Sequence, residues 1–298
     1  SSQFDDFLPF YEKQMNKWIG NTNTHGGWVA SYKTFIQFCK GQCNFGDITP
    51  QFINEYKEFL EQKATRINSP KMRISQNSCY TYYNKLRATV RESMVYGHMI
   101  SNPFDAVKGI QQPETYREFL TKEELLKLYN TPNESDFLKR TCIFSALTGL
   151  RLGDVTKLRG DQIQHSKNLG YFIRFTQSKT KGMETLPISD EALGLLGDYE
   201  ESSERIFGDY NFQRDYAHLK RWLQSAGIRK KITFHNFRHT FATLQLAEGT
   251  DIYTVSKLLG HKHIHTTQIY GKVMDTTKTK AMQSIQLGLK SDKNEQQS

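Results

Sequence analysis

Apolar residues recur every three or four positions along most of this chain, and the interval drops to two over one short stretch. The first third reads as all-helical. Trp28, Tyr32, Phe35 and Cys39 line one side of residues 28–40. Thr49 followed by Pro50 is an N-cap with proline at the first helical position, and Phe52, Tyr56, Phe59 and Leu60 continue that helix on one face. A basic stretch, KATRINSPKMR, connects it to a third helix from about Gln76 to Tyr96. There Cys79, Tyr83, Leu86 and Val90 form a core stripe, and Tyr80, Asn84, Arg87 and Arg91 form a polar stripe about 100° further round. Gly97 ends the helix, and a polar connector with two prolines (Asn102-Pro103 to KGIQQPE) places a domain boundary near residue 112.

Beyond the boundary, Thr121 and Glu124 make a capping box for a short helix carrying Leu125, Leu126 and Tyr129. A longer apolar helix from about Asp136 to Leu147 breaks at Thr148-Gly149, so Arg151 sits at a helix junction with Asp154 three residues on. Over residues 171–188 the period changes: YFIRFTQ alternates, SKTKG is a turn and METLPIS is a second strand, a β-hairpin with Lys179 and Lys181 at its tip. Residues 190–197 read as a short helix, and NFQRDYAHLKRWLQSAGI as an amphipathic one with Phe212, Tyr216, Leu219 and Leu223 inward. In FHNFRHTFATLQLAEG, His235, Arg238 and His239 share a face opposite Phe237, Phe241 and Leu244. Asp251 caps a last helix that Gly260 stops; His261 follows directly, and Tyr270 comes nine residues later among small polar residues. The expected fold is mainly α with a small β-hairpin or sheet: a helical bundle over 1–112 and an α+β domain over 113–298. Its tail runs from about 275, with Met282 and Ile285 on one helical side and a disordered end.

Charge sharpens this picture. Lys and Arg number 40 against 31 Asp and Glu, a net +9 spread along all 298 residues, which favours a polyanionic partner, nucleic acid before anionic membrane. Lys63, Arg66, Lys71 and Arg73 lie just upstream of the Tyr80–Arg91 stripe, and the two together read as a DNA-contacting surface. No apolar run approaches the roughly 20 residues of a membrane span, and no secretory leader is read in SSQFDDFLPF. Four sparse cysteines, Cys39, Cys43, Cys79 and Cys142, read as reduced thiols of a cytosolic protein.

The candidate chemistry is two arginines (Arg151, Arg238), a hairpin lysine (Lys179), two histidines (His235, His261) and a late tyrosine (Tyr270). No acidic cluster accompanies them, which disfavours two-metal phosphoryl transfer. Neither GxxxxGK[ST] nor HExxH is present, so neither ATP nor catalytic zinc is indicated. His261, His263 and His265 alternate without a nearby carboxylate or cysteine, a poor metal set. The expectation is no metal and no cofactor.

The stretches TGLRLGDV, QSKTKG, HNFRHTFAT and LLGHKHIHTTQIYGKV, in this order, resemble the tyrosine recombinases, the phage-type and mobile-element integrases of bacteria and the chromosome-dimer resolvases. The resemblance covers residue 113 to the end, and the N-terminal helices fit the family's core-binding domain more loosely. It implies a site-specific recombinase in which Arg151 and Arg238 clamp the scissile phosphate and Tyr270 is the nucleophile forming a 3′-phosphotyrosyl link. His235 would accept the phenolic proton, Lys179 (or Lys181) would protonate the leaving 5′-oxygen, and His261 would donate a hydrogen bond to the phosphate. It also implies double-stranded DNA as substrate, a homotetramer on two duplexes, a tail packed into a neighbouring protomer, accessory DNA-bending or directionality proteins, and a nucleoid location. Larger integrases of the family carry an additional N-terminal arm-binding domain; this chain begins almost directly at the core-binding region. Two rival readings are a type IB-like topoisomerase, relaxing DNA as a monomer, and a catalytically silent DNA-binding regulator.

Overall fold

The computed structural model describes residues 6–113, 117–177, 182–261 and 263–271, the side chain of Phe212 excepted. The chain divides into two compact units, Ser1–Thr115 and Tyr116–Ser298.

Among the described residues the first unit holds four α-helices: α1 (Phe7–Asn16), α2 (Thr22–Cys39), α3 (Pro50–Gln62) and α4 (Gln76–Val95). Asp6, Asn21, Thr49 and Ser75 each accept a backbone N–H at the helix start, so four termini are closed by side chains of the capping type. The core is unusually aromatic. Phe7, Tyr11, Phe35, Tyr56 and Tyr83 are buried, and Phe35 meets Tyr56 edge-on with ring centroids 5.4 Å apart. The Tyr11 hydroxyl finds a partner in Ser31 Oγ at 2.8 Å. Cys79, Tyr83, Leu86 and Val90 are all buried, as their helical spacing predicts.

Two departures from the sequence reading concern this unit. Helix α2 starts at Thr22, ahead of the aromatic stripe, because Asn21 caps it there. The basic stretch is not a plain connector: β1 (Thr65–Arg66) pairs antiparallel with β2 (Ser69–Arg73). Most of its side chains are exposed, so no alternation of apolar residues announces it. Arg73 fixes the hairpin to the end of α3, donating from Nε to Ala64 O (3.1 Å) and from its guanidinium to Gln62 O.

In the second unit α5 (Lys122–Asn130) begins with the expected capping box. α6 (Asp136–Thr148) is buried on several sides and packs against α10 (Phe234–Ala247), with Cys142, Ile143 and Phe237 in one core cluster. After the single turn of α7 (Leu152–Val155) comes an antiparallel meander ordered β3-β4-β5: β3 (Ile163–Ser166), β4 (Gly170–Thr176) and β5 (Met183–Pro187). The sequence reading had only the β4–β5 hairpin. β3 is four residues with a single buried side chain, Ile163, too short for alternation to show. Ile163 pairs with Ile173, which pairs with Leu186, and this row packs on Phe144, Val155, Leu158 and Phe207. α8 (Asp190–Gly194) and α9 (Phe212–Ser225) follow. On α9 the inward residues are Leu219, Trp222 and Leu223, whereas Tyr216 is only partly buried. Trp222 goes inward because its Nε1–H reaches Thr131 O at 3.0 Å. α11 (Ile252–Leu258) is capped by Asp251, and Tyr270 lies on a further helix, α12 (His265–Gly271), that small polar residues had hidden.

Gly149 closes α6 at φ +72°, and a Cβ there would run into the Phe241 ring and Leu259. Gly149→Ala is therefore expected to destabilise the second unit by about 2–4 kcal/mol, combining left-handed strain with overpacking, measurable by denaturant unfolding. Lys179, Lys181, Met282 and Ile285 lie outside the described residues.

Candidate active site

α10 is the element on which the site is built. Its inner face carries Phe237 and Phe241 into the core, and at the edge of that face Arg238 and His239 are each 3% exposed. Arg238 is a cation held almost entirely by main chain: Nη1 donates to Gly149 O (2.7 Å) and Nη2 to Leu259 O (2.7 Å). Those carbonyls belong to the turns that end α6 and α11, so three segments distant in sequence fix one guanidinium. Nη2 also lies 3.2 Å from His261 Nε2.

Arg151 follows the α6 turn. Its Nη1 donates to Gln177 Oε1 at 3.1 Å and lies 3.9 Å from Asp154, whose carboxylate is buried. β4 delivers Gln177 to this place, and the close approach requires Gly260 (φ +61°), where a Cβ would collide with the Gln177 amide. Burial, and the nearby charge of Arg151, lower the Arg238 pKa to about 10. Two cations kept this close in a desolvated place repel each other, and an anion between them removes the cost.

Tyr270 is 5% exposed, and its hydroxyl lies 2.7 Å from His239 Nδ1. On the other side of that ring, Arg117 Nη1 lies 3.1 Å from Nε2. Burial raises the Tyr270 pKa, partly countered by Arg238, Arg117 and Arg151, so the free enzyme holds a neutral phenol. His261 is held by Thr267, whose Oγ1 lies 2.7 Å from Nδ1. Burial first, then Arg238 and Arg151, lower its pKa to about 4.

The structure thus gathers Arg151, Arg238, His261 and Tyr270, together with three residues the sequence reading did not place there: His239, Gln177 and Arg117. His239 had one visible signal, its position on the face of His235 and Arg238. Gln177 opens the QSKTKG stretch but has no role assigned to it there, and nothing in the sequence marks Arg117. His235 is exposed at the start of α10, its ring edge-on to His239 with centroids 4.5 Å apart. The hydroxyl of Tyr270 is met by His239, one helical turn deeper than His235. Among the described residues no cluster of three His, Cys, Asp or Glu side chains could hold a metal ion, and no helix is long and apolar enough to cross a membrane. All four cysteines are free thiols.

On α4, Tyr80, Asn84 and Arg87 are partly buried and Arg91 is exposed; the Arg87 Nε is enclosed by protein. Lys63, Arg66, Lys71 and Arg73 are exposed on or beside the β1–β2 hairpin, Arg73 with its guanidinium tied as described.

The low pKa of His239, about 3, comes from burial first, then His235, Arg117 and Arg238. A histidine free in the unfolded chain titrates near 6.5, so between pH 6.5 and 3 the unfolded state binds more protons. The contribution is fully present above pH 6.5 and is lost as the pH falls through that window. From pH 7 to pH 5 His239 alone is expected to remove roughly 2 kcal/mol of stability, visible as a lowered denaturation midpoint that His239→Asn flattens.

Residues 118–277 match the Phage integrase family, and residues 6–110 match the Phage integrase SAM-like domain. A tyrosine recombinase of Pseudothermotoga lettingae is 27% identical over 272 residues, spanning 87% of this chain and 90% of that protein. A lambda integrase dimer bound to a COC′ core site superposes with a TM-score of 0.68 at 18% identity, covering 88% of this chain and 94% of that one. A lambda integrase tetramer bound to a Holliday junction gives 0.63 at 20% identity, covering 86% and 76%. The chain belongs to the phage integrase family, and it is an enzyme of the tyrosine recombinase class, acting in site-specific DNA recombination.

Proposed function

We propose that this recombinase cuts and rejoins double-stranded DNA through Tyr270, without metal or nucleotide. The observation that carries the reading is a buried tyrosine in the same site as two mutually repelling arginines. Arg151 and Arg238 take the non-bridging oxygens of the scissile phosphate and stabilise the charge that accumulates in the transition state. Tyr270 Oη attacks phosphorus, the P–O5′ bond breaks, and the 3′-phosphotyrosyl ester keeps the phosphodiester energy for religation. The phenolic proton passes to His235, and Lys179 supplies the proton for O5′. A free phenol is ionised in only about one molecule per thousand at pH 7, and burial lowers that fraction further, so proton removal belongs to the step itself.

His261 enters by a switch of tautomer. As Arg238 turns toward the phosphate, Nε2 is released from it, takes the ring proton and donates to a phosphate oxygen. The Thr267 hydroxyl then donates to Nδ1.

The first unit supplies DNA contacts through Lys63 beside the hairpin, Arg66 and Lys71 on it, and Tyr80, Asn84, Arg87 and Arg91 on α4, with Arg73 mainly anchoring the hairpin. The boundary between the DNA-binding and catalytic domains falls near residue 112. Four protomers acting on two duplexes, the stoichiometry of a tetramer on a Holliday junction, extend this to strand exchange. Accessory DNA-bending proteins would set direction, and the setting is the bacterial cytoplasm, at the nucleoid. The test is a nicked suicide duplex built from the ends of the element encoding the chain: a protein–DNA adduct together with joined recombinant products supports recombination. Plasmid relaxation without joined products supports a topoisomerase. Tight binding without adduct supports a silent regulator.

A further inference from the structure

We propose that Arg117 sets the tautomer of His239 so that this histidine donates a hydrogen bond to Tyr270 Oη and stabilises the phenolate in both cleavage and rejoining. The inference rests on the reading of Tyr270 as nucleophile and adds two residues to its machinery.

The argument is one of donors and acceptors. A guanidinium can only donate, so Arg117 Nη1, 3.1 Å from His239 Nε2, requires a lone pair on that nitrogen. A ring with a lone pair on Nε2 is neutral and carries its single proton on Nδ1. The group 2.7 Å from Nδ1 is Tyr270 Oη, which must therefore accept. A hydroxyl accepts and donates at once, so the phenol keeps its own proton free to leave in another direction. The surroundings favour the neutral ring as well: His239 is 3% exposed, with Arg117 and Arg238 both close by.

This arrangement makes His239 unsuited to be the base for Tyr270, because the nitrogen facing the hydroxyl has no lone pair to give. It makes the ring suited to the opposite task. A hydrogen bond to an oxygen strengthens as that oxygen gains charge, so it favours the phenolate over the phenol. On attack, charge passes from Oη to the phosphoryl oxygens, and Oη becomes an ester oxygen, a weaker acceptor. In rejoining, the O5′ hydroxyl attacks phosphorus and returns its proton to Lys179, the P–Oη bond breaks, and the departing phenolate regains the donor as it takes back its proton from His235. His239 touches the reacting atom and acts on it directly. Arg117 is a positioning residue, acting through the ring.

The experiment has an arm independent of catalysis. In protein with ¹⁵N-labelled histidine, the ring shifts of His239, assigned by their loss in His239→Asn, report which nitrogen is protonated at pH 7. The Nδ1–H form is expected; the Nε2–H form or an imidazolium overturns the proposal whether or not Tyr270 is the nucleophile. The second arm is adduct formation on the suicide duplex as a function of pH, with thermal melting and DNA binding measured on every variant. Arg117→Met is expected to slow cleavage about 10–100-fold and to move the rising limb of the pH profile upward, with partial rescue in Arg117→Lys. His239→Asn places an amide N–H near the former Nδ1 and is expected to cleave faster than His239→Leu. Cleavage by Arg117→Met at wild-type speed or faster, or equal rates for His239→Asn and His239→Leu in folded, DNA-binding protein, overturns the donor role. An undiminished Tyr270→Phe adduct instead overturns the nucleophile reading and leaves the tautomer result standing.

Discussion

Tyr270→Phe is expected to bind DNA with near-wild-type affinity and to form no covalent complex with it. The phenyl ring keeps the buried position of Tyr270 among Phe241, Ala242, Leu246, Val255 and Leu259, so the local packing survives. What disappears is one oxygen. Its loss leaves the His239 Nδ1 donor without a partner, which costs about 1–3 kcal/mol of stability and lowers the denaturation midpoint without unfolding the unit. The chemical loss is far larger, since the attacking oxygen itself is gone. Denaturing gels of the suicide reaction read the adduct directly, and an adduct at wild-type yield refutes Tyr270 as nucleophile.

Arg238→Lys is expected to lower the cleavage rate by on the order of 10²–10³ or more while retaining much of the DNA affinity. Arginine spans Gly149 O and Leu259 O with two different nitrogens and still lies 3.2 Å from His261. A lysine ammonium is a point donor and cannot reach both carbonyls and a phosphate oxygen at once. One carbonyl is left desolvated and the transition-state charge loses a fixed donor. Single-turnover adduct formation separates this loss from binding: a fall in rate at saturating protein supports the role, whereas a change in affinity alone refutes it.

Much of this was legible in the residues. Helical periodicity gives α3 and α4, because each buries one stripe of large side chains. α6 and α10 are legible from their apolar length although they are buried on several sides, and Thr49, Thr121 and Asp251 mark where helices begin. Arg151, Arg238, His261 and Tyr270 stand out because they lie in the stretches TGLRLGDV, HNFRHTFAT and LLGHKHIHTTQIYGKV. Other features left no trace of that kind. β1, β2 and β3 expose most of their side chains, so their pairing is recorded only in the backbone. α12 is built from small polar residues around buried Thr267 and Tyr270, and it carries no apolar stripe. Arg117 reaches His239 across 122 positions and Gln177 reaches Arg151 across 26, contacts that tertiary packing alone creates.

The guanidinium of Arg238 leans on two oxygens that no codon change can delete, because they belong to the peptide backbone of Gly149 and Leu259. The turns bearing them are therefore sensitive to length as well as to the identity of Gly149 and Gly260. A single added residue displaces the following chain by about 3.8 Å, more than such a contact can absorb. Homologous turns should thus resist insertions, even where exposed neighbours vary freely.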